Sequence, residues 1–430
     1  MIKQIPRQIV FELLSDHGGV ASFIEDSLTR SLNQLHIDGR DRRFIQNLTY
    51  GVIRHSAVLD WVIDQAVTRK PPGGSVRVLL RMGVYQILFM DRVAEHAAIN
   101  ETVECAKRAG LDRQAGFING LLRNILRAQS QLEADLQSLQ ETEPWIRFSH
   151  PEWLYQKFLE QYGPEPVRQW MAWNNEPADI FLSPNGLMND PFALVRILEQ
   201  EECYVQVMPV PLLNDHKCLK WISGLPPQLT KAFAEGRFYI QDPSTHIAAL
   251  WVRAQPGQRV LDMCAAPGGK TQLLVQNLSP DVQIDVADAD PSRIQKLTQN
   301  LERLQMTGRV HILDGTPDPE KKYDWILLDA PCSNSGVLRR RVELRWRIRE
   351  DECLELANVQ LDLLRQARAL LKDDGKIIYS TCSLDADENE KILRAIQSEF
   401  PELMLLQQKK ITPWQDHYDG AFIACLAPRL

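Results

Sequence analysis

Two cysteines end strand-like runs. In YDWILLDAPCSNSG a strand from Trp325 to Leu328 terminates in Asp329, Ala330, Pro331 and Cys332, and in KIIYSTCSLDADENE a second terminates in Thr381 and Cys382. An isolated cysteine at a strand end is ordinarily inert packing, and Cys105, Cys203, Cys218, Cys353 and Cys425 read that way. Around Cys332 and Cys382, Pro331 and Thr381 fix the local backbone. A helix expected just after Cys382, capped by Ser383 or Asp385 with Glu388 three residues beyond Asp385, favours a thiolate. Upstream lies RVLDMCAAPGGKT, Arg259–Thr271, an apolar strand followed by small residues. Ala265, Ala266, Gly268 and Gly269 let a ligand lie against the backbone and meet the first N–H groups of a helix, with Cys264 offering backbone. A phosphate-gripping loop is excluded because Cys264 stands where a glycine is needed, and the pattern GxGxxG is absent. Asp288 lies 18 residues past Lys270 at the end of VQIDVADAD, where a carboxylate accepts from ribose hydroxyls. The cofactor is therefore read as a nucleoside without a polyphosphate.

A nucleoside cofactor and a thiolate nucleophile are what methyl transfer to carbon 5 of cytosine needs. That carbon is too weakly nucleophilic to take a methyl directly, so a thiolate first adds to carbon 6, and the resulting enamine attacks a sulfonium methyl. Loss of the carbon 5 proton then expels the thiolate. In an open α/β sheet ligands bind at the carboxyl ends of strands. The glycine loop, Asp288, Asp314 (after the strand candidate RVHIL), Asp329 with Cys332, and Cys382 are all expected there.

The elements that carry these residues follow from periodicity. Residues 6–127 alternate helical apolar patterns with polar turns, including one long helix expected over 41–67, and read as an all-α domain. A polar helical linker follows, then an α+β stretch with short strands at DIFLSPN and CYVQVMP. With 430 residues, two or three domains are expected. No apolar run approaches the roughly 18 residues of a membrane span, and MIKQIPRQIV does not read as a signal peptide. Eight cysteines without CxxC pairs or zinc spacing indicate reduced cytosolic thiols, with neither a disulfide framework nor a structural metal. Net charge is −7, which speaks against a generic nucleic-acid binder, yet residues 1–130 hold 17 Lys plus Arg against 13 Asp plus Glu. That local excess suits a docked polyanion. Arg42, Arg43, Arg54, Arg81, Arg123 and Arg127 are candidates to meet phosphates there. So are Arg339, Arg340, Arg341, Arg345, Arg347 and Arg349, around Trp346, beside the expected base pocket.

The run DRRFIQNLTYGVIR, with LLRMGVYQILFMDRVAEHAAINETVECAK and GFINGLLRNILR, resembles the NusB-like RNA-binding domain. The motifs DMCAAPGGKT, LLDAPCSNSG and YSTCS together resemble the cytosine-5 RNA methyltransferases of the RsmB/NOP family, of the type acting on 16S rRNA. The resemblance implies a NusB-like all-helical domain over 1–130, a linker over 131–149, an α+β RNA-engaging segment over 150–236 and a Rossmann-like class I methyltransferase domain over 237–430. It implies that Cys382 is the nucleophile, that Cys332 assists product release, and that Asp329 hydrogen-bonds the flipped base. By the same resemblance Cys264, Ala265, Ala266, Pro267, Gly268, Gly269 and Lys270, with Asp288, Asp314 and Asp329, hold S-adenosylmethionine. The implied partner is 16S rRNA, free or partly assembled, met by a cytoplasmic monomer. The same chemistry on tRNA, and a non-catalytic RNA-binding or ribosome-assembly factor, are the alternatives. Two places depart from the family: Arg340-Arg341-Val342-Glu343 stands where Arg-Arg-His/Asn-Pro-Asp is usual, and Leu182-Ser183-Pro184-Asn185 lacks the arginine of Leu-Arg-x-Asn.

Overall fold

The computed structural model describes residues 6–16, 23–34, 37–68, 70–213, 216–315 and 317–429. The chain divides into two compact units, Met1–Glu176 with Arg341–Arg347, and Pro177–Arg340 with Ile348–Leu430.

Among its described residues the first unit is helical throughout. Apolar residues three and four apart give the helices Pro6–Asp16, Ile24–Gln34, Gly39–Arg54, Ser56–Ala66, Gly74–Phe89, Glu95–Arg108 and Asp112–Arg127 one-sided faces. These faces close over a core that includes Ile45, Leu48, Val58, Leu80, Ile118 and Leu122. The apolar spacing in VASFIEDSLTRSLNQL predicts a helix over 20–35, which is seen as Ile24–Gln34; positions 20–22 and 35 lie outside the described residues. Gly51 sets one helix approach, because a Cβ there would meet the Tyr85 ring at 2.0 Å. The single helix expected over 41–67 is instead two, broken at His55, whose φ of −104° and ψ of 15° leave the helical region. Ser149 Oγ accepts from Val58 N at 3.0 Å and so satisfies one of the orphaned donors of the second helix. Gln129–Thr142, Pro144–Arg147, Glu152–Tyr162 and Pro164–Asn175 complete the unit. The stretch 150–236 thus divides after Glu176, its first two helices going to the first unit and its strands, with its later helices, to the second.

The second unit contains two sheets. β1 (Phe181–Pro184), β2 (Tyr204–Pro209), β3 (Lys217–Ser223) and β4 (Phe238–Ile240) pair antiparallel in the order β2-β3-β1-β4. The helix Pro191–Gln200 packs Leu194 and Leu198 onto Leu182, Leu219 and Phe238. The larger sheet is made by β5 (Arg259–Asp262), β6 (Gln283–Val286), β7 (His311–Ile312), β8 (Tyr323–Asp329), β9 (Leu371–Thr381), β10 (Leu403–Ile411) and β11 (Ala421–Pro428), in the order β10-β11-β9-β8-β5-β6-β7. β7, β6, β5, β8 and β9 run parallel, and β11 and β10 add an antiparallel edge. This is a doubly wound α/β sheet, as expected, although β7 is shorter than RVHIL suggested. The chain steps outward from β5 to β7 and then restarts on the other side with β8. The carboxyl ends of β5 and β8 therefore flank the switch point, where such sheets open a crevice for a ligand.

Candidate active site

β5 delivers Asp262 to the crevice, wholly buried, with Thr271 Oγ1 donating to its Oδ2 at 2.7 Å. Its Oδ1 has no partner. Burial pushes this carboxyl up to about 7; the Thr271 bond opposes the shift, while the charges of Asp329 and Asp288 add to it. The loop after β5 turns at Gly268, whose φ of +105° strains any other residue, and the helix Gly269–Asn277 begins next. The loop is held from the neighbouring strand and helix. Asp288, buried beyond the end of β6, accepts from Ala266 N at 3.2 Å. Arg293 donates to the Ala266 carbonyl at 2.7 Å and pairs with Asp288 at 3.3 Å, and Asn300 donates to the Pro267 carbonyl at 2.9 Å.

Arg293 and Asn300 escaped notice in the sequence. Both lie on the helix Pro291–Arg303, two turns apart and hence on one face, capped by Asp290 as expected. Their spacing was the available signal. Asp314 stands exposed just past β7. Burial, reinforced by the charges of Asp329 and Asp262, pushes the Cys264 thiol up to about 12, which leaves it inert and suits a residue offering backbone. The residues present fit a nucleoside: a loop without bulky side chains, a carboxylate beyond β6, and two buried polar atoms without partners, Asp262 Oδ1 and Gln241 Nε2.

β8 ends at Asp329, whose Oδ2 lies 2.7 Å from Lys270 Nζ. Burial works against that ammonium, but the charge and hydrogen bond of Asp329 outweigh it and raise its pKa. The loops after β8 and β9 then bring the two sulfurs together, with Cys332 Sγ 3.2 Å from Cys382 Sγ. The hydrogen bond with Cys382 and burial hold the Cys332 thiol well above the ordinary thiol range. Cys382 Sγ also donates to Asn334 Oδ1 at 3.1 Å.

The helix expected directly after Cys382 begins only at Glu390, and neither Ser383 nor Asp385 caps it. Residues 383–389 are instead drawn into a buried polar knot around Glu388. Its carboxylate accepts from Ser333 N and Ser383 Oγ, both at 2.7 Å, and from Gln360 Nε2 at 3.1 Å. Thr381 Oγ1 donates to Asn389 Oδ1 at 2.7 Å, and Asn389 returns a bond to the Ser383 carbonyl at 2.9 Å. A helix dipole thus gives way to a network that fixes one cysteine loop against the other. Cys353 and Asp385 approach Glu388 within 4.8 Å.

Three of the arginines read as phosphate contacts are corrected by the structure. Arg345 is fully buried in the first unit, donating to Asn175 Oδ1 at 2.7 Å and to the carbonyls of Asn174, Ser149 and Arg54 at 2.8, 3.2 and 3.3 Å. Burial, with Arg54 nearby, lowers its pKa to about 9. Arg339 is buried and donates to the Pro177 carbonyl. Arg340 donates to Asp242 at 2.8 Å, to Asp419, and to the Asp179 carbonyl at 2.6 Å. The reason is geometric: residues 338–343 run irregularly between the single turns Ser335–Val337 and Leu344–Arg347, so successive arginines leave the backbone in different directions and these three turn inward. Glu343, one of the departures from the family pattern, accepts from Ile24 N at 2.8 Å, and Trp346 donates to the Ile53 carbonyl at 3.0 Å. Arg341 and Arg43 are exposed; Arg42 is half-buried and donates to the Leu32 carbonyl at 2.9 Å. Arg81 is paired with Asp60.

Residues 249–427 match the family model described as 16S rRNA methyltransferase RsmB/F, and residues 4–127 match that of the NusB family. The chain is 34% identical over 410 residues to the ribosomal RNA small subunit methyltransferase B of Vibrio cholerae serotype O1, covering 92% of this chain and 91% of that protein. It is 31% identical over 406 residues to the protein of the same name from Escherichia coli O1:K1, covering 91% and 92%. Among solved structures, PH0851 shares its fold at a TM-score of 0.80 and 23% identity, covering 99% of both chains. A methyltransferase homolog from Pyrococcus horikoshii matches at a TM-score of 0.57 and 25% identity, covering 66% of this chain and 97% of that one. No helix among the described residues is long and apolar enough to cross a membrane.

Proposed function

The chain belongs to the RsmB/F family of 16S rRNA methyltransferases, with a NusB domain and with S-adenosylmethionine as cofactor, and from that premise we propose that it methylates carbon 5 of a cytosine in small-subunit 16S rRNA through a covalent bond from Cys382 to carbon 6. The observation that carries this reading is the contact of Cys332 with Cys382 at 3.2 Å, beside the strand that ends in Asp329.

Bound in the crevice, the cofactor supplies an electrophilic methyl group. Residues 264–270 form the small-residue wall against which it lies, and Asp288 retains lone pairs for ribose hydroxyls beyond its bond from Ala266. Asp314, exposed past β7, stands on the same edge of the sheet for the outer end of the nucleoside. Asp329 meets the flipped base, with Lys270 setting the position of its carboxylate. Cys382 loses its proton to solvent and its thiolate bonds carbon 6, which displaces the electron pair of the ring double bond toward carbon 5 and makes that carbon nucleophilic. After methyl transfer the carbon 5 proton leaves, the electron pair of that C–H bond re-forms the ring double bond, and Cys382 departs as thiolate. Cys332, adjacent to the departing sulfur, assists this release. Arg43 and Arg341, exposed, remain the candidates for phosphate contact, with the half-buried Arg42 beside Arg43.

The test is labelled S-adenosylmethionine with unmodified 16S rRNA, and tRNA in parallel. The parent is expected to produce 5-methylcytosine in 16S rRNA, Cys382→Ala none, and Cys332→Ala a protein–RNA adduct that does not resolve. Label on neither RNA despite measurable cofactor binding would reject the enzymatic reading in favour of an RNA-binding assembly factor.

A further inference from the structure

Asn334 stands between the two cysteine loops in a left-handed conformation, φ 59°, a region that asparagine enters more readily than most residues. Its amide has only one way to face. Nδ2 donates to the Cys332 carbonyl at 2.8 Å, which directs Oδ1 at Cys382, and Cys382 Sγ donates to it at 3.1 Å. One side chain therefore grips the backbone of one cysteine loop and the sulfur of the other.

The loops do not need this grip to stay together. Glu388 bridges Ser333 and Ser383, Ser335 Oγ lies 3.0 Å from Ser383 Oγ, and Gly336 N donates to the Cys382 carbonyl at 2.9 Å. Beyond this, Asn334 adds one bond within its own loop, to the Cys332 carbonyl, and one between the loops, to the thiol. Resting on the covalent reading above, we propose that Asn334 is a positioning residue for Cys382: its amide oxygen holds the sulfur at a fixed angle to Cys332 and to the place of the base. Displacing a reacting atom by about 1 Å can slow a step roughly 100-fold, so a single hydrogen bond to the attacking sulfur has a large kinetic reach.

Two substitutions separate this role from a structural one. Asn334→Gly accepts the positive φ without strain and removes only the amide. Asn334→Asp also tolerates the conformation but places a negative charge against the sulfur. In the Cys332→Ala background, where adduct accumulates, Asn334→Gly is expected to slow single-turnover adduct formation roughly 10- to 100-fold, while the affinity for RNA, cofactor affinity and unfolding temperature stay at the values of the Cys332→Ala protein. Asn334→Asp is expected to move the pH of half-maximal alkylation of Cys382 by iodoacetamide upward by about one unit or more, since a like charge disfavours the thiolate. Lys270, whose ammonium feels the charge of Cys382 from the helix Gly269–Asn277, and Cys332 are the same in both proteins, so the difference reads position 334. Parental adduct rates in Asn334→Gly with an unmoved alkylation profile in Asn334→Asp, while Cys382→Ala stays inactive, would overturn the inference alone. Methyl transfer by Cys382→Ala would overturn the covalent reading and the inference with it.

Discussion

Arg340 separates an arginine that grips RNA from one that holds the fold. Its guanidinium joins Asp242 and Asp419, whose side chains are each only 3% exposed. Burial, with the charge of Asp242, pushes the Asp419 carboxyl up to about 7 even with the arginine in place. Replacing Arg340 with alanine leaves two buried carboxylates facing each other, and breaking a buried ion pair from one side costs about 3–5 kcal/mol. For a unit of this size that corresponds to a fall of roughly 10 °C in unfolding temperature. The sign with pH follows from the direction of the shift. A carboxyl whose folded pKa lies above its unfolded value has its stability fully present at low pH and loses it as pH rises through the folded pKa. The penalty of Arg340→Ala is therefore expected to be smallest at pH 5, where Asp419 carries its proton, and to grow as pH rises to 8 and beyond, because loss of the arginine lifts the Asp419 carboxyl further. Thermal unfolding at the two pH values, with the salt dependence of RNA binding measured alongside, decides the matter. A variant that unfolds like the parent at pH 8, yet binds RNA with a salt slope reduced by about one, would show that Arg340 contacts a phosphate.

Two further outcomes are expected. Arg345→Ala should destabilise the helical unit by about 3 kcal/mol or more, by stranding the carbonyls of Ser149 and Asn174 in a cavity; hydrogen exchange in Gly39–Arg54 would report it, and unchanged protection would argue against a structural role. Gly268→Ala places a Cβ at a φ of +105° and 3.0 Å from Leu297, so cofactor affinity measured by calorimetry should fall at least about tenfold, a cost of roughly 1–3 kcal/mol in backbone strain.

The sequence alone determined what depends on a few neighbouring residues. Helical periodicity in the first 127 residues, the small-residue loop of 264–269, the carboxylate beyond β6 and the cap at Asp290 are local, since each follows from dihedral preferences and spacing. The convergence of Cys332 and Cys382 could be expected too, because strands of an open sheet present their carboxyl ends along one edge. Other features waited for the tertiary structure because their partners are far away in the chain. Nothing near Arg345 foretells Asn174 and Ser149, or near Arg340 foretells Asp242 and Asp419. A run of arginines looks like an RNA surface until the burial of each is known. Glu388 likewise reads as part of a helix cap by its spacing from Asp385, whereas Ser333, 55 residues earlier, claims its carboxylate. Asn334 is an ordinary loop residue in the sequence; its left-handed backbone and the packing of two strand ends turn its amide onto the sulfur. Local spacing chose the chemistry, and long-range hydrogen bonding between buried groups decided which charged side chains were left to serve it.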